Sequence, residues 1–161
     1  MDNKRLKPLS GAKTREYLFV AIDAYSRELY AQILPDKSQY SSAKFLNDVL
    51  AETPYTVEVV YTDNGSEYKG TPHHAFVKAC SAKRINQQFT RVARPQTNGK
   101  AERVIRTLLN MWHDKYLFES EEQRATELNK FVYFYNKEKL HKGIDNLTPQ
   151  EKLSIYFKQK C

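Results

Sequence analysis

Two cysteines are all the chain has, Cys80 and Cys161. That excludes a disulfide framework, and neither their number nor their spacing suits a metal site, so a reducing cytoplasm is the compartment that fits. No apolar run approaches the ~18 residues of a membrane span. The N-terminus lacks the apolar core of a secretory signal. Internal repeats, low-complexity tracts and internal domain boundaries are missing as well. What remains is a soluble globular protein of 161 residues, 40% of them hydrophobic, the size of one domain and long enough to bury a real core.

Acidic residues are scarce in one place. The net charge of +7 comes from 26 Lys and Arg against 19 Asp and Glu. Residues 78–106 hold Lys78, Lys83, Arg84, Arg91, Arg94, Lys100, Arg103 and Arg106 against the single acid Glu102, which is 8 minus 1, or +7. One segment therefore carries the whole excess. A basic stretch is often only a solvated surface, but this concentration around one acid points to a polyanion such as nucleic acid.

Along the chain, YLFVAID at 17–23 is apolar on both faces and predicts a central strand, with ELYAQIL following as the second arm of a hairpin. Ala43, Leu46, Val49 and Leu50 have helical spacing, and VEVVYTD after them predicts another strand. Thr71 and Pro72 predict the start of a short helix carrying Phe76, Ala79 and Cys80, and INQQFT alternates as a fifth strand. RVARPQTNG has breaker residues and no periodicity, which makes it a loop. Ala101, Val104, Ile105, Leu108, Leu109, Trp112 and Tyr116 then mark one face of a long helix. Ser120 with Gln123, and Thr148 with Pro149 and Glu151, are capping boxes that open two more.

Asp63 ends the VEVVYTD strand at an Asn-Gly turn. Side chains alternate along a strand, so Asp63 shares its face with Val57, Val59 and Tyr61 and is expected on the apolar side. Taken alone it is a turn-forming aspartate. Glu102 opens the long helix beside the core-facing stripe, where the helix dipole favours an acid. It also follows the basic loop, and a carboxylate there suits chemistry on a phosphate backbone, because hard Mg²⁺ ions take oxygen ligands. His73 and His74 lack zinc spacing and are expected to be surface residues. Tyr133 and Tyr135, in the aromatic run FVYFY, are expected in the core and on a dimer surface rather than as base-stacking platforms.

TDNGSEY and RPQTNGKAER resemble the second and third acidic motifs of the DDE integrase and transposase catalytic cores. YNKEKLH followed by LTPQEKL is similar to the ending of bacterial insertion-sequence transposases, with Lys139 and Leu140 in place of the usual Arg and Pro. The resemblance spans essentially the whole chain. It implies an α/β, ribonuclease H-like fold with a five-stranded mixed sheet flanked by helices, residues 120–161 forming its C-terminal helical part. It implies that residues 1–161 are a single catalytic core excised from a longer protein with an N-terminal DNA-binding region.

For the active site, the resemblance implies Asp63 as the second acid and Glu102 as the third. The first acid has two candidates. The fold has three antiparallel strands before its first helix; if YLFVAID were the first of these the third would be missing, so the first strand is expected in MDNKRLK and the first acid at Asp2. With Asp2 as the first acid, AIDAYSR resembles the family's second-strand turn, whose Asp is structural; Asp23 is the alternative first acid. Asp2, Asp63 and Glu102 are the expected catalytic residues and the expected ligands of two Mg²⁺ or Mn²⁺ ions. Arg94, Asn98, Lys100, Arg103 and Arg106 are the expected DNA contacts. The implied activity is DNA end cleavage and strand transfer by a cytoplasmic, nucleoid-associated homo-oligomer on transposon ends and target DNA, with no membrane involvement. A domesticated, non-catalytic binding core and a ribonuclease H-like nuclease are the competing readings.

Overall fold

Tyr17–Ile22 (β2), apolar throughout, is the strand around which the rest is built. The computed structural model describes residues 1–11, 13–90 and 99–160. β2 pairs antiparallel with β1 (Asp2–Arg5), Asp2 opposite Val20, and with β3 (Leu29–Leu34), Ile22 opposite Leu29. Its alternate side chains serve two cores. Leu18 and Val20 pack with Leu6 and Leu29 against the helices α3 (Gly99–Met111) and α4 (Glu121–Lys137). Phe19 and Ala21 pack on the other face against Phe45 and Val49 of α1 (Gln39–Glu52). A strand buried on both faces has no room for a polar position, which is why YLFVAI carries none.

β4 (Val59–Thr62) and β5 (Asn86–Phe89) run parallel, joined through α2 (Ala75–Ala82). The five expected strands are present with mixed directions, as an antiparallel ladder β1-β2-β3 and a parallel ladder β4-β5. Between β1 and β4 lies a seam, crossed by a backbone bond in which the Met1 ammonium donates to Tyr61 O at 2.6 Å. α1 spans both ladders, because Leu46 packs into a third core with Val60, Tyr68, Phe76, Cys80 and Ile85.

Two local expectations change. Val60 and Thr62 are the buried residues of β4, while Val59 and Tyr61 are 37% and 42% exposed, the reverse of the expected facing. The cause is tertiary: Val60 is held down on the third core, and the opposite face fronts an apolar cleft of about 410 Å³ lined in part by Ala21, Ile22, Leu50, Val57 and Tyr61. α2 starts at Ala75, three residues after Pro72, because the Gln39 side chain reaches across from α1 and its Oε1 accepts from Ala75 N at 2.6 Å.

In α3 the residues Ala101, Val104, Ile105 and Leu108 are buried at i, i+3, i+4 and i+7. Burial of each of the three larger aliphatics contributes about 1.5–3 kcal/mol, so the helix is fixed in rotation about its axis. Glu102, Arg103 and Arg106 are thereby left on its exposed side. Thr148 and Glu151 form a full capping box for α5 (Pro149–Lys160): Thr148 N donates to Glu151 Oε2 at 2.8 Å and Glu151 N to Thr148 Oγ1 at 3.2 Å.

Candidate active site

Asp2 begins β1 and is half-buried, its Oδ1 accepting from Asn3 N at 2.7 Å. Loss of solvent pushes its carboxyl up to about 6, and the negative charges of Asp63 and Glu102 push the same way, against the Asn3 N–H and the Met1 ammonium. Asp2 thus lies in the field of both other expected acids. Asp63 leaves the end of β4 half-buried and bends into the turn, its Oδ1 accepting from Gly65 N at 2.8 Å. Asn64 ties the turn to the end of β5, donating to Thr90 O at 3.1 Å.

A fourth acid, Glu67, stands in the same turn with 5% of its surface exposed. Its Oε1 accepts from Asn3 Nδ2 at 2.8 Å, and Asn3 Nδ2 also approaches Tyr68 Oη at 3.1 Å. Gly65 separates the two carboxylates of the turn: a Cβ at this position would come within 2.5 Å of Glu67 Oε2 and 2.9 Å of Asp63 Oδ1. Only glycine lets both side chains close over the backbone here. Glu67 lies within the TDNGSEY motif but carries no sequence signal of its own, and Asn3 has none beyond its place next to Asp2.

Asp23 does something different. Its Oδ2 accepts from Tyr25 N at 3.1 Å, Ser26 N at 2.7 Å and Ser26 Oγ at 2.8 Å, and its carbonyl accepts from Arg27 N at 3.1 Å. These bonds build the β2–β3 turn, in which Arg27 takes a left-handed backbone with φ 67°.

Of the expected DNA contacts, Arg94 and Asn98 lie outside the described residues. Arg103 and Arg106 are exposed on α3 and form no ion pair among the described residues. Lys100 is turned toward the hairpin, donating to Ala24 O at 3.3 Å. Partial burial lowers its pKa, and the nearby Arg27 adds to the effect. His74 Nε2 bonds to Ser66 O at 2.9 Å. Tyr135 is buried, whereas Tyr133 is 54% exposed beneath the Lys137 ammonium.

The donor set suits a hard divalent cation. Asp2, Asp63 and Glu102 offer only carboxylate oxygens, and none is in an ion pair with Lys, Arg or His among the described residues. Burial raises the proton affinity of Asp2, and the charges of Asp63 and Glu102 add to that effect against the Met1 ammonium. Among the described residues, however, no three His, Cys, Asp or Glu side chains stand close enough together to hold one ion. Asp2, Asp63 and Glu102 share an electrostatic field but not a closed cage.

Two profiles described as the integrase core domain match the chain, at residues 2–95 and 83–149. The transposase for insertion sequence element IS904 of Lactococcus lactis is 25% identical over 138 residues, covering 84% of this chain and 53% of that protein. A putative integrase, ORF3 of a Spiroplasma virus, is 28% identical over 165 residues, covering 92% of this chain and 45% of that protein. The chain thus spans about half the length of these curated relatives. Among solved structures, the catalytic core domain of BIV integrase superposes with a TM-score of 0.70 at 21% identity, covering 99% of this chain and 97% of that one. At that identity the likeness is one of fold, and it agrees with the ribonuclease H-like α/β architecture.

Proposed function

The chain belongs to the integrase core domain family, and from that premise we propose that it is the catalytic core of a DNA transposase or integrase, performing divalent-metal-dependent end cleavage and strand transfer. Members of this family are generally polynucleotidyl transferases that depend on divalent metal and bind DNA. The observation that supports the reading is that Asp2 on β1 lies within the electrostatic reach of Asp63 at the end of β4 and of Glu102 in the first turn of α3.

In the first step an oxygen of water attacks a phosphodiester in line and the bond to the leaving 3′ oxygen breaks, freeing a 3′-hydroxyl end. In the second, that hydroxyl attacks a target phosphodiester and displaces the target's own 3′ oxygen, so one phosphodiester forms as one breaks. No protein nucleophile is needed. Two bound Mg²⁺ or Mn²⁺ ions would supply activation of the attacking oxygen and stabilisation of the leaving one. Asp2 and Asp63 would hold them from fixed positions on the two ladders, and Glu102 from the helix start. Arg103 and Arg106, one turn apart on the exposed side of α3, would contact phosphates. Arg94, Asn98 and Lys100 complete the proposed DNA contacts, in a homo-oligomer that acts on transposon ends and target DNA. The core is proposed as part of a longer protein whose DNA-binding region precedes it, and as working at the nucleoid. Among the described residues no helix is long and apolar enough to cross a membrane.

The test is a labelled duplex with a 3′-hydroxyl end, incubated with the chain, Mn²⁺ and target DNA, alongside a thermal-shift titration with Mn²⁺. Wild type is expected to give joined products and to be stabilised by Mn²⁺. Asp63→Asn and Glu102→Gln are expected to stay folded and lose both responses. Joined products at the wild-type level in either variant would refute the assignment, and nicking without joining would favour a nuclease.

A further inference from the structure

We infer that Asn3 and Glu67 form a positioning pair that sets the spacing of Asp2 and Asp63 across the seam between the two ladders, and through it the site's affinity for divalent cations. The inference rests on the proposed function, since it assigns no new ligand. It concerns how two acids carried by separate pieces of sheet are kept at one distance.

The two aspartates have no ladder between them. Asp2 belongs to β1 in the antiparallel ladder and Asp63 follows β4 in the parallel one. On one side of Asp2 the Met1 ammonium crosses the seam to Tyr61 O at 2.6 Å, but beyond it the seam opens into the cleft of about 410 Å³, lined there by Met1, Ala21, Ile22, Val59 and Tyr61, so close packing does not fix the separation. On the other side stands Asn3, whose Nδ2 donates to Glu67 Oε1 and to Tyr68 Oη.

Each end of this clasp is rigidly tied to one acid. Asn3 adjoins Asp2, and its own N–H holds Asp2 Oδ1. Glu67 is four residues from Asp63, and the intervening Gly65 donates its N–H to Asp63 Oδ1 while leaving room for Glu67 Oε2. The run Asp2, Asn3, Glu67, Gly65, Asp63 is thus continuous through covalent or hydrogen bonds and close contact. Glu67 has no ion-pair partner among the described residues, and a carboxylate 95% buried without one is tolerated only with hydrogen bonds in place. Ordinary packing would be served as well by an apolar side chain; a buried carboxylate aimed at an asparagine is a directional tie. Groups that orient metal-binding residues typically change affinity by about 10–100-fold when removed.

The test measures Mn²⁺ affinity by isothermal titration in Asn3→Ala, Glu67→Ala and Glu67→Gln, with thermal unfolding of the metal-free proteins and crystal structures of Asn3→Ala and Glu67→Gln. Gln keeps an oxygen that accepts from Asn3, so Glu67→Gln is expected to bind Mn²⁺ close to wild type. Asn3→Ala and Glu67→Ala are expected to bind about 10–100-fold more weakly, with the Asp2 to Asp63 separation altered in Asn3→Ala and kept in Glu67→Gln. If Glu67→Ala fails to fold, Asn3→Ala decides alone. Wild-type affinity and unchanged separation in Asn3→Ala would overturn the inference. So would Glu67→Gln binding as weakly as Glu67→Ala, because Glu67 would then act through its charge. A wild-type chain indifferent to Mn²⁺ would refute the metal-dependent function, while the separations in the two crystal structures would still decide the clasp.

Discussion

Asp2 and Asp23 are both half-buried aspartates at strand ends, and the structure gives them opposite electrostatic situations. Asp23 is surrounded by donors, three of which it satisfies through one oxygen. Asp2 is desolvated and faces other acids, which raises its pKa from 3.8 to about 6. A raised carboxyl pKa means that the folded state holds the proton more tightly than the unfolded chain does. Ionisation of Asp2 therefore opposes folding; the penalty is absent below about 3.8 and complete above about 6. Asp2→Asn is accordingly expected to raise the melting temperature of the metal-free protein at pH 7 to 8, with the gain closing as pH falls from 6 to 4, while abolishing DNA processing. A gain independent of pH would contradict this account. Asp23→Ala is expected to lower stability by about 1–3 kcal/mol in urea unfolding and to leave the Mn²⁺ response in place. Loss of that response at full stability would move Asp23 into the metal site.

At the scale of elements, the YN pair of the YNKEKLH run acquires a definite role. Asn136 of α4 accepts from Leu29 N and donates to Leu29 O, both at 2.8 Å. β3 is an edge strand, and the amide acts as a one-residue substitute for the next strand. Tyr135 beside it is buried in the first core, and His141 closes the corner by donating from Nε2 to Tyr135 O at 3.1 Å. Asn136→Leu removes two bonds and strands the backbone groups of a fully buried residue, so a loss of about 2–4 kcal/mol is expected in urea denaturation. Loss below about 1 kcal/mol would mean that water replaces the amide. The motif was legible in the sequence but its contact was not, because nothing local to residue 136 indicates residue 29. Helix starts behaved differently. The Thr148 and Glu151 box lies within four residues, so its geometry follows from spacing, whereas the start of α2 is set by Gln39 from a distant helix, which no local spacing indicates.

On the scale of the whole molecule, the concentration of positive charge in residues 78–106 and the amphipathic register of α3 act together. Packing of Ala101, Val104, Ile105 and Leu108 leaves Arg103 and Arg106 outward on the helix that carries Glu102. If both contact phosphate, replacing them with Ala is expected to weaken binding about equally for all DNA sequences and to reduce the slope of log affinity against log salt by about 2. An unchanged slope would identify them as solvated surface residues.

The sequence by itself determined the elements whose causes are local or periodic: the doubly buried β2, the register of α3, the capping box of α5 and the turn residues around Asp63. It also supplied the acidic motifs, and the turn built by Asp23, Ser26 and Arg27, because a strand buried on both faces and a turn of Asp, Ser and Arg have short-range signatures; the preference for Asp2 over Asp23 as first acid came from the strand count of the resembled fold. Only the tertiary structure decided which face of β4 is buried, where α2 begins, that the five strands divide into two ladders, and that Asn3 and Glu67 bridge them. Each of these depends on groups carried by different elements of the chain, such as Val60 settling on Phe76 and Leu46 from one side while a cleft remains on the other. Alternation fixes only that neighbouring side chains point to opposite sides of a strand; which side is buried is set by what packs there.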